Sequence, residues 1–276
     1  MATLYIFGDE SGTMPINDGD KPFVTATIAV LDNPPVLVRG SNDDKKMVEI
    51  FSSLSIIPFA AIVSPYAGYG RVLKTKYDKI QVMARATRLV TGAKVPYLDE
   101  KTLKEGFDLR NTVWANAMVQ SVANAVINTL FRNPIDAVQV ILDRKTMTPS
   151  MRQFFKEIVV KRIGEGTKQF LRSILPLNPT IVSEWEDRVR FSSETTAFTW
   201  SDESEELEKE FGLRLADRFA RKIYQARITV NPRIEEMLKA AGFEGFARDI
   251  TEVVTRFDER LVENFRKVTG LPEPKL

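Results

Sequence analysis

The most constraining stretch of this sequence is residues 107–131. There Leu109, Val113, Ala117, Val119, Val122, Ala123, Val126, Ile127 and Leu130 recur with helical period over a wide face. A helix apolar over so much of its circumference needs a broad apolar partner, and a sheet supplies one. The flanking segments read as its strands. Residues 3–8 and 23–31 (FVTATIAVL) are rich in β-branched and aromatic residues, and the link between them, GTMPINDGDKP, is turn material. Residues 56–63 (IIPFAAIV) form a third strand pattern, weakened by Pro58. Asn133-Pro134 ends the long helix, and 135–142 (IDAVQVIL) forms a further strand that runs into Asp143.

The remaining segments are mostly helical. Asp43–Ser53 reads as a short helix, and Val72–Val90 as a basic, amphipathic helix or pair of helices. Thr148-Pro149 is an N-cap followed by proline at the first helical position, opening a helix to about Arg162. Residues 180–191 (TIVSEWEDRVRF) form an irregular strand pattern, GLRLADRFARKIYQ a late helix, and Asn231–Val268 two more helices. The expectation is an α/β fold, one mixed sheet flanked by helices, over residues 1–228, with a C-terminal helical segment, 229–276, packed on it.

Composition narrows the chemistry. The 276 residues include neither cysteine nor histidine, so thiol nucleophiles, Ser-His-Asp triads and ordinary zinc sites cannot be assembled from this chain. Any catalysis falls to carboxylates, lysine, tyrosine or a hard metal held by oxygen. Lys and Arg number 39 against 37 Asp and Glu, so a case for a polyanionic partner must come from local patches. The first residues lack a basic region followed by a long apolar run, and no apolar stretch reaches the roughly 18 residues of a membrane span. The expected location is cytoplasmic, with no membrane partner.

Two strands end in aspartate. In LYIFGD, alternation places Tyr5, Phe7 and Asp9 on one side, and in VQVILD it places Gln139, Ile141 and Asp143 on one side. A carboxylate at such a place needs a cation or hydrogen-bond donors beside it. If the two strands are neighbours, their repulsion calls for a divalent cation. Taken singly, Asp9 opens a turn with Ser11-Gly12 and Asp143 pairs with Arg144 or Lys145. Asp217, on the late helix, shares a face with Leu213, Ala220 and Tyr224, and it also stands four residues before Arg221, the spacing of a surface ion pair.

The strand ending in Asp9-Glu10-Ser11-Gly12, the mid-chain strand ending in Asp143 and the late helix carrying Leu215-Ala216-Asp217 together resemble the bacterial and phage family catalogued as domain of unknown function 3800. The resemblance implies an RNase H-like fold and a metal-dependent nuclease. It makes Asp9, Glu10, Asp143 and Asp217 the expected catalytic residues. Asp9 would bridge two Mg²⁺ or Mn²⁺ ions, with Asp143 and Asp217 each completing one. Arg214 stands where the family usually has glutamine, and the central helix offers no glutamate. Either Glu10 supplies a fourth carboxylate, which requires a turn at Asp9, or a second metal binds poorly.

Basic residues flank the proposed ligands. Arg144 and Lys145 follow Asp143, and Arg214, Arg218 and Arg221 surround Asp217, as contacts to DNA or RNA phosphates would require. Trp114, Trp185 and Trp200 are available to stack on bases, although the apolar helix favours a core role for Trp114. Two other readings stand beside the nuclease: a catalytically weak or inactive nucleic-acid-binding protein of phage or defence systems, and an assembly protein whose late helices form a homo-oligomer interface.

Overall fold

The computed structural model describes residues 2–32, 43–92, 109–130, 132–143, 149, 152–153, 155–160, 163–164, 196–200, 207–257 and 259–275. Six strands form one sheet: β1 (Thr3–Ser11), β2 (Phe23–Leu31), β3 (Ile57–Val63), β4 (Ala137–Leu142), β5 (Thr196–Trp200) and β6 (Ala247–Asp249), in the order β5-β4-β1-β2-β3-β6. β1, β2 and β3 are antiparallel neighbours, whereas β4 runs parallel to β1, and β5 to β4. Among the described residues the helices with defined bounds are α1 (Asp44–Ser53), α2 (Tyr69–Thr91), α3 (Leu109–Leu130), α4 (Leu207–Ile228), α5 (Arg233–Ala240), α6 (Thr251–Thr255) and α7 (Glu259–Thr269), and residues 155–160 are helical as well.

Strand alternation divides the core into two layers. Leu4, Ile6, Phe23, Phe59, Val138, Val140 and Leu142 face α3, where they meet Val113, Trp114, Val122 and Val126. Phe7, Val24, Ile28, Ile62 and Ile141 face the other way, against Leu215, Ala216, Phe219 and Ile223 of α4, Met47 and Phe51 of α1, and Ile234 and Leu238 of α5. β2 is buried along nearly its whole length, which explains why FVTATIAVL lacks a polar face. Its two buried threonines are satisfied by α3: Thr25 shares a 3.0 Å hydroxyl bond with Ser121, and Thr27 donates to the Ser121 carbonyl at 3.2 Å. These bonds pin the otherwise slippery apolar face of α3 at one register.

Pro58 sits within β3, opposite Ile28. The Ala60 amide donates to the Phe246 carbonyl at 2.6 Å, so the Pro58 nitrogen, two positions earlier, points to the same outer edge. β6 pairs only with Ala60–Ile62, and the missing N–H therefore breaks no ladder bond.

The structure decides or corrects several expectations. Of the two alternatives for the basic segment, a single helix forms, over Tyr69–Thr91. The segment 229–276 is not wholly helical, because β6 joins the sheet edge, with three short helices around it. β5, TAFTW, is a strand that the sequence reading omits, while the expected strand at 180–191 lies outside the described residues. Among the described residues no helix is long and apolar enough to cross a membrane.

Tyr69 is fully buried in the α3-side layer, and its hydroxyl has no hydrogen-bond partner among the described residues. Burial raises its pKa well above the ordinary phenol value. Because the hydroxyl is desolvated without compensation, Tyr69→Phe is expected to leave stability unchanged or raise it by up to about 1 kcal/mol in urea unfolding. A loss of more than about 1 kcal/mol would show that the hydroxyl is bonded.

Candidate functional site

The carboxylates at issue lie at one end of the sheet. β1 and β4 pair in parallel up to Gly8 and Leu142, and the Asp143 amide then donates to the Gly8 carbonyl at 3.0 Å. This extends the register by one step and sets Asp143 beside Asp9, on strands about 4.8 Å apart. Phe7 and Ile141, two positions earlier on each strand, both face α4, so by alternation Asp9 and Asp143 share that face. Both residues are half-buried. One Asp9 oxygen accepts the Glu10 amide at 2.7 Å. At the opposite end of the sheet, Asp136 and Asp32 accept the Ala2 and Thr3 amides.

Helix α4 is set over β1 by two glycines. A Cβ on Gly212 would lie 2.3 Å from the Phe7 ring, and one on Gly12 would lie 2.9 Å from the Tyr224 ring and 2.7 Å from the Pro22 carbonyl. Gly12 also has φ of +94°, a conformation that favours glycine. The helix from Gly212 to Tyr224 rises about 18 Å, matching the roughly 17 Å of strand from Phe7 to Gly12. The two elements therefore run side by side in the same direction. Interpolating between the contacts brings Asp217 level with Asp9. Leu215, Arg218 and Lys222 lie on the α4 flank toward α1, whereas Asp217 lies on the other flank with Leu213, Ala220 and Tyr224, which reaches β1 at Gly12.

Asp217 is held by Arg221, whose Nη2 donates to both carboxylate oxygens at 3.1 and 3.3 Å. The spacing-four ion pair is thus formed, and among the described residues no three acidic side chains are arranged to hold a metal ion. The pair is exposed, Arg221 at 61% and Asp217 at 37%, so opening it costs only about 0.3–0.5 kcal/mol.

Glu10 is not brought to the other carboxylates. β1 does not turn at Asp9 but continues to Ser11, opposite Val24, so alternation sends Glu10 to the α3 face. There one carboxylate oxygen accepts the Trp114 indole N–H at 2.9 Å. Trp114 and Trp200 are buried within one aromatic cluster with Phe155, so neither is presented for base stacking. Trp185 lies outside the described residues.

The expected phosphate contacts divide. Arg144 and Lys145 lie outside the described residues. Arg214 is exposed, and Arg218 and Arg221 line a cavity of about 220 Å³ between α1 and α4, where Lys222 pairs with Asp44 at 2.7 Å. That cavity opens toward α1 and adjoins Asp217 through Arg221, which lines it. No protein-family model matches the chain, and neither a curated protein nor a solved structure matches it.

Proposed function

We propose that this chain is a divalent-metal-dependent nuclease of RNase H-like fold, hydrolysing phosphodiesters of DNA or RNA. The observation that carries the reading is the pairing that sets Asp9 and Asp143 side by side at the ends of two parallel central strands; Asp217, on the helix that packs across that face, is taken as the third ligand. The strand order β5-β4-β1-β2-β3, antiparallel in the first three strands of the chain and parallel from β1 outward to β5, supports the fold assignment.

The chemistry of the donors, rather than their present arrangement, fits the group required. Three aspartates with no histidine or cysteine in the chain offer only hard oxygen ligands, the chemistry of Mg²⁺ or Mn²⁺. Such ions, when bound, supply a nucleophilic water at neutral pH and stabilise the leaving oxygen. The chain's own part is to hold Asp9 and Asp143 at fixed strand ends and to free Asp217 from Arg221. Once free, Arg221 is a guanidinium beside the site, suited to a phosphate. Glu10 anchors the end of β1 to Trp114, a positioning role. The test is cleavage of single- and double-stranded DNA and RNA with Mg²⁺ or Mn²⁺ against an EDTA control. Cleavage that needs the ion supports the proposal; none on any substrate opposes it.

The Asp217–Arg221 pair favours a second reading, a nucleic-acid-binding protein without turnover. It predicts salt-sensitive binding and no metal-dependent cleavage.

A further inference from the structure

Helix α2 carries Arg71, Lys74, Lys76, Lys79, Arg85 and Arg88 against a single acid, Asp78. These cations divide by role. Lys76 donates to the Val253 and Val254 carbonyls at the end of α6, and Lys79 pairs with Glu273. Both fasten the helix to the C-terminal segment. Arg71, Lys74, Arg85 and Arg88 are exposed, and among the described residues none of them forms a salt bridge. At about 100° per residue the four fall within an arc of roughly 100°, a single stripe about 26 Å long. Seven to eight base pairs occupy that length at about 3.4 Å each.

The stripe is anchored at its start and begins at the sheet end that carries the carboxylates, on the α3 side of the sheet rather than the α4 side. Asp18, in the β1–β2 loop that follows Gly12, accepts the Gly68 and Gly70 amides at 3.0 and 2.7 Å and so ties the start of α2 to that loop. α2 starts six positions after Val63, at the same sheet end as Ser11. Tyr69 and Leu73 enter the α3-side core, and Met83 packs on Val262 and Phe265 of α7.

We infer that the exposed face of α2 is a track for a nucleic-acid backbone that runs away from the carboxylate end of the sheet, so that the substrate is a polymer of at least about seven nucleotides. The inference rests on the nuclease reading for the site and on charge complementarity for the track. The exposed aliphatics of α2 are Val72, Val82, Leu89 and Val90, while its inward apolar face, Tyr69, Leu73, Met83 and Ala84, is buried in the protein and so cannot enter a lipid surface; paired cations at both ends of the helix suit a phosphate polymer better.

The experiment uses the full chain and fluorescein-labelled 30-nucleotide single- and double-stranded DNA and RNA, read by anisotropy in EDTA over a salt series. Arg71→Gln, Lys74→Gln, Arg85→Gln and Arg88→Gln combined are expected to weaken binding about tenfold or more at moderate salt and to flatten the log–log salt slope by about 3. Exchanging the same arginines for lysine and Lys74 for arginine should retain the binding. Unchanged affinity and slope in the glutamine variant overturn the inference. So does a result in which that variant loses only its adhesion to phosphatidylserine vesicles. Metal-dependent hydrolysis of bis(p-nitrophenyl) phosphate, which is too small to reach the track, should be unaffected by the four changes. Stripe-dependent binding without any hydrolysis would sustain the track and refute the nuclease; hydrolysis with stripe-independent binding would do the reverse.

The Asp18 clamp makes its own prediction. Hydrogen bonds from Gly70 and then Gly68 hold its carboxyl below the ordinary carboxylate value. A depressed folded-state pKa stabilises the clamp above the unfolded value, near pH 4, and that contribution is lost as pH falls through the folded value. The melting-temperature gap between wild type and Asp18→Ala is therefore expected to be constant from pH 5 to 8 and to close in acid below about pH 4. A gap that persists at low pH would contradict it.

Discussion

Asp9→Asn is expected to abolish metal-dependent cleavage, lowering the rate at least about a hundredfold, or about 2.7 kcal/mol in the barrier. The amide keeps the size and one acceptor oxygen of the carboxylate, so it can still receive the Glu10 N–H while it loses the charge that a hard cation requires. Its fold should be untouched, since Asp9 makes its ladder bonds to β2 through the backbone. Asp143→Asn and Asp217→Asn should each fall in the same range, and the double variants should add little, because residues that act on one metal centre are not additive. Glu10→Gln should behave differently. The glutamine carbonyl can accept the Trp114 indole N–H, so most activity should survive, and Trp114→Phe, which removes the donor, should cost more. Equal loss in Glu10→Gln and Asp9→Asn would return Glu10 to the metal site.

Gly212→Val should be the most damaging single change to the fold. A Cβ there meets three atoms of the Phe7 ring at 2.3 to 2.4 Å, and Phe7 is fully buried between β1 and α4. A flat ring enclosed on all sides cannot swing aside as a lysine tip would, so α4 must lift or tilt. Overpacking of this kind costs about 1–3 kcal/mol for one methyl group and more for a branched side chain. Gly212→Ala separates the terms. Alanine gains about 1 kcal/mol in helix propensity over glycine, and the clash should exceed that gain. A fall in melting temperature of about 2–4 °C per kcal/mol is the readout. The lift would also displace Asp217, so activity should drop beyond what the loss of folded protein explains. A Gly212→Ala variant more stable than wild type would show that α4 sits further from β1.

Most of the sheet was legible because its strands carry their own periodicity. FVTATIAVL and IDAVQVIL are apolar, β-branched runs with turn signals at their ends, and alternation alone placed Asp9 with Phe7 and Asp143 with Ile141. β5 and β6 were not legible. TAFTW is half polar, and Ala-Arg-Asp has no pattern at all; each is a strand because a neighbour offers an open edge, which is information held by the fold. Pro58 argued against a paired strand, yet its nitrogen faces the one stretch of edge that β6 leaves uncovered. Glu10 was misplaced for a related reason. Ser11-Gly12 reads as a turn immediately after Asp9, but pairing with β2 carries the strand two residues further and turns Glu10 to the other face. The partner that receives it, Trp114, lies 104 residues away and leaves no local signal. The glycine of Asp-Glu-Ser-Gly is explained by Tyr224, more distant still in sequence, which leaves no room for a side chain at Gly12.

The role of Asp217 depends on its release from Arg221, and that exchange is directly observable. A crystal structure grown with Mn²⁺ and measured at the manganese edge should show an anomalous peak within about 2.0–2.6 Å of carboxylate oxygens of Asp9 and Asp143, with Asp217 turned away from Arg221 and toward the ion. A crystal soaked to saturation with no peak at the paired strand ends, and with Asp217 still on Arg221, would contradict the account.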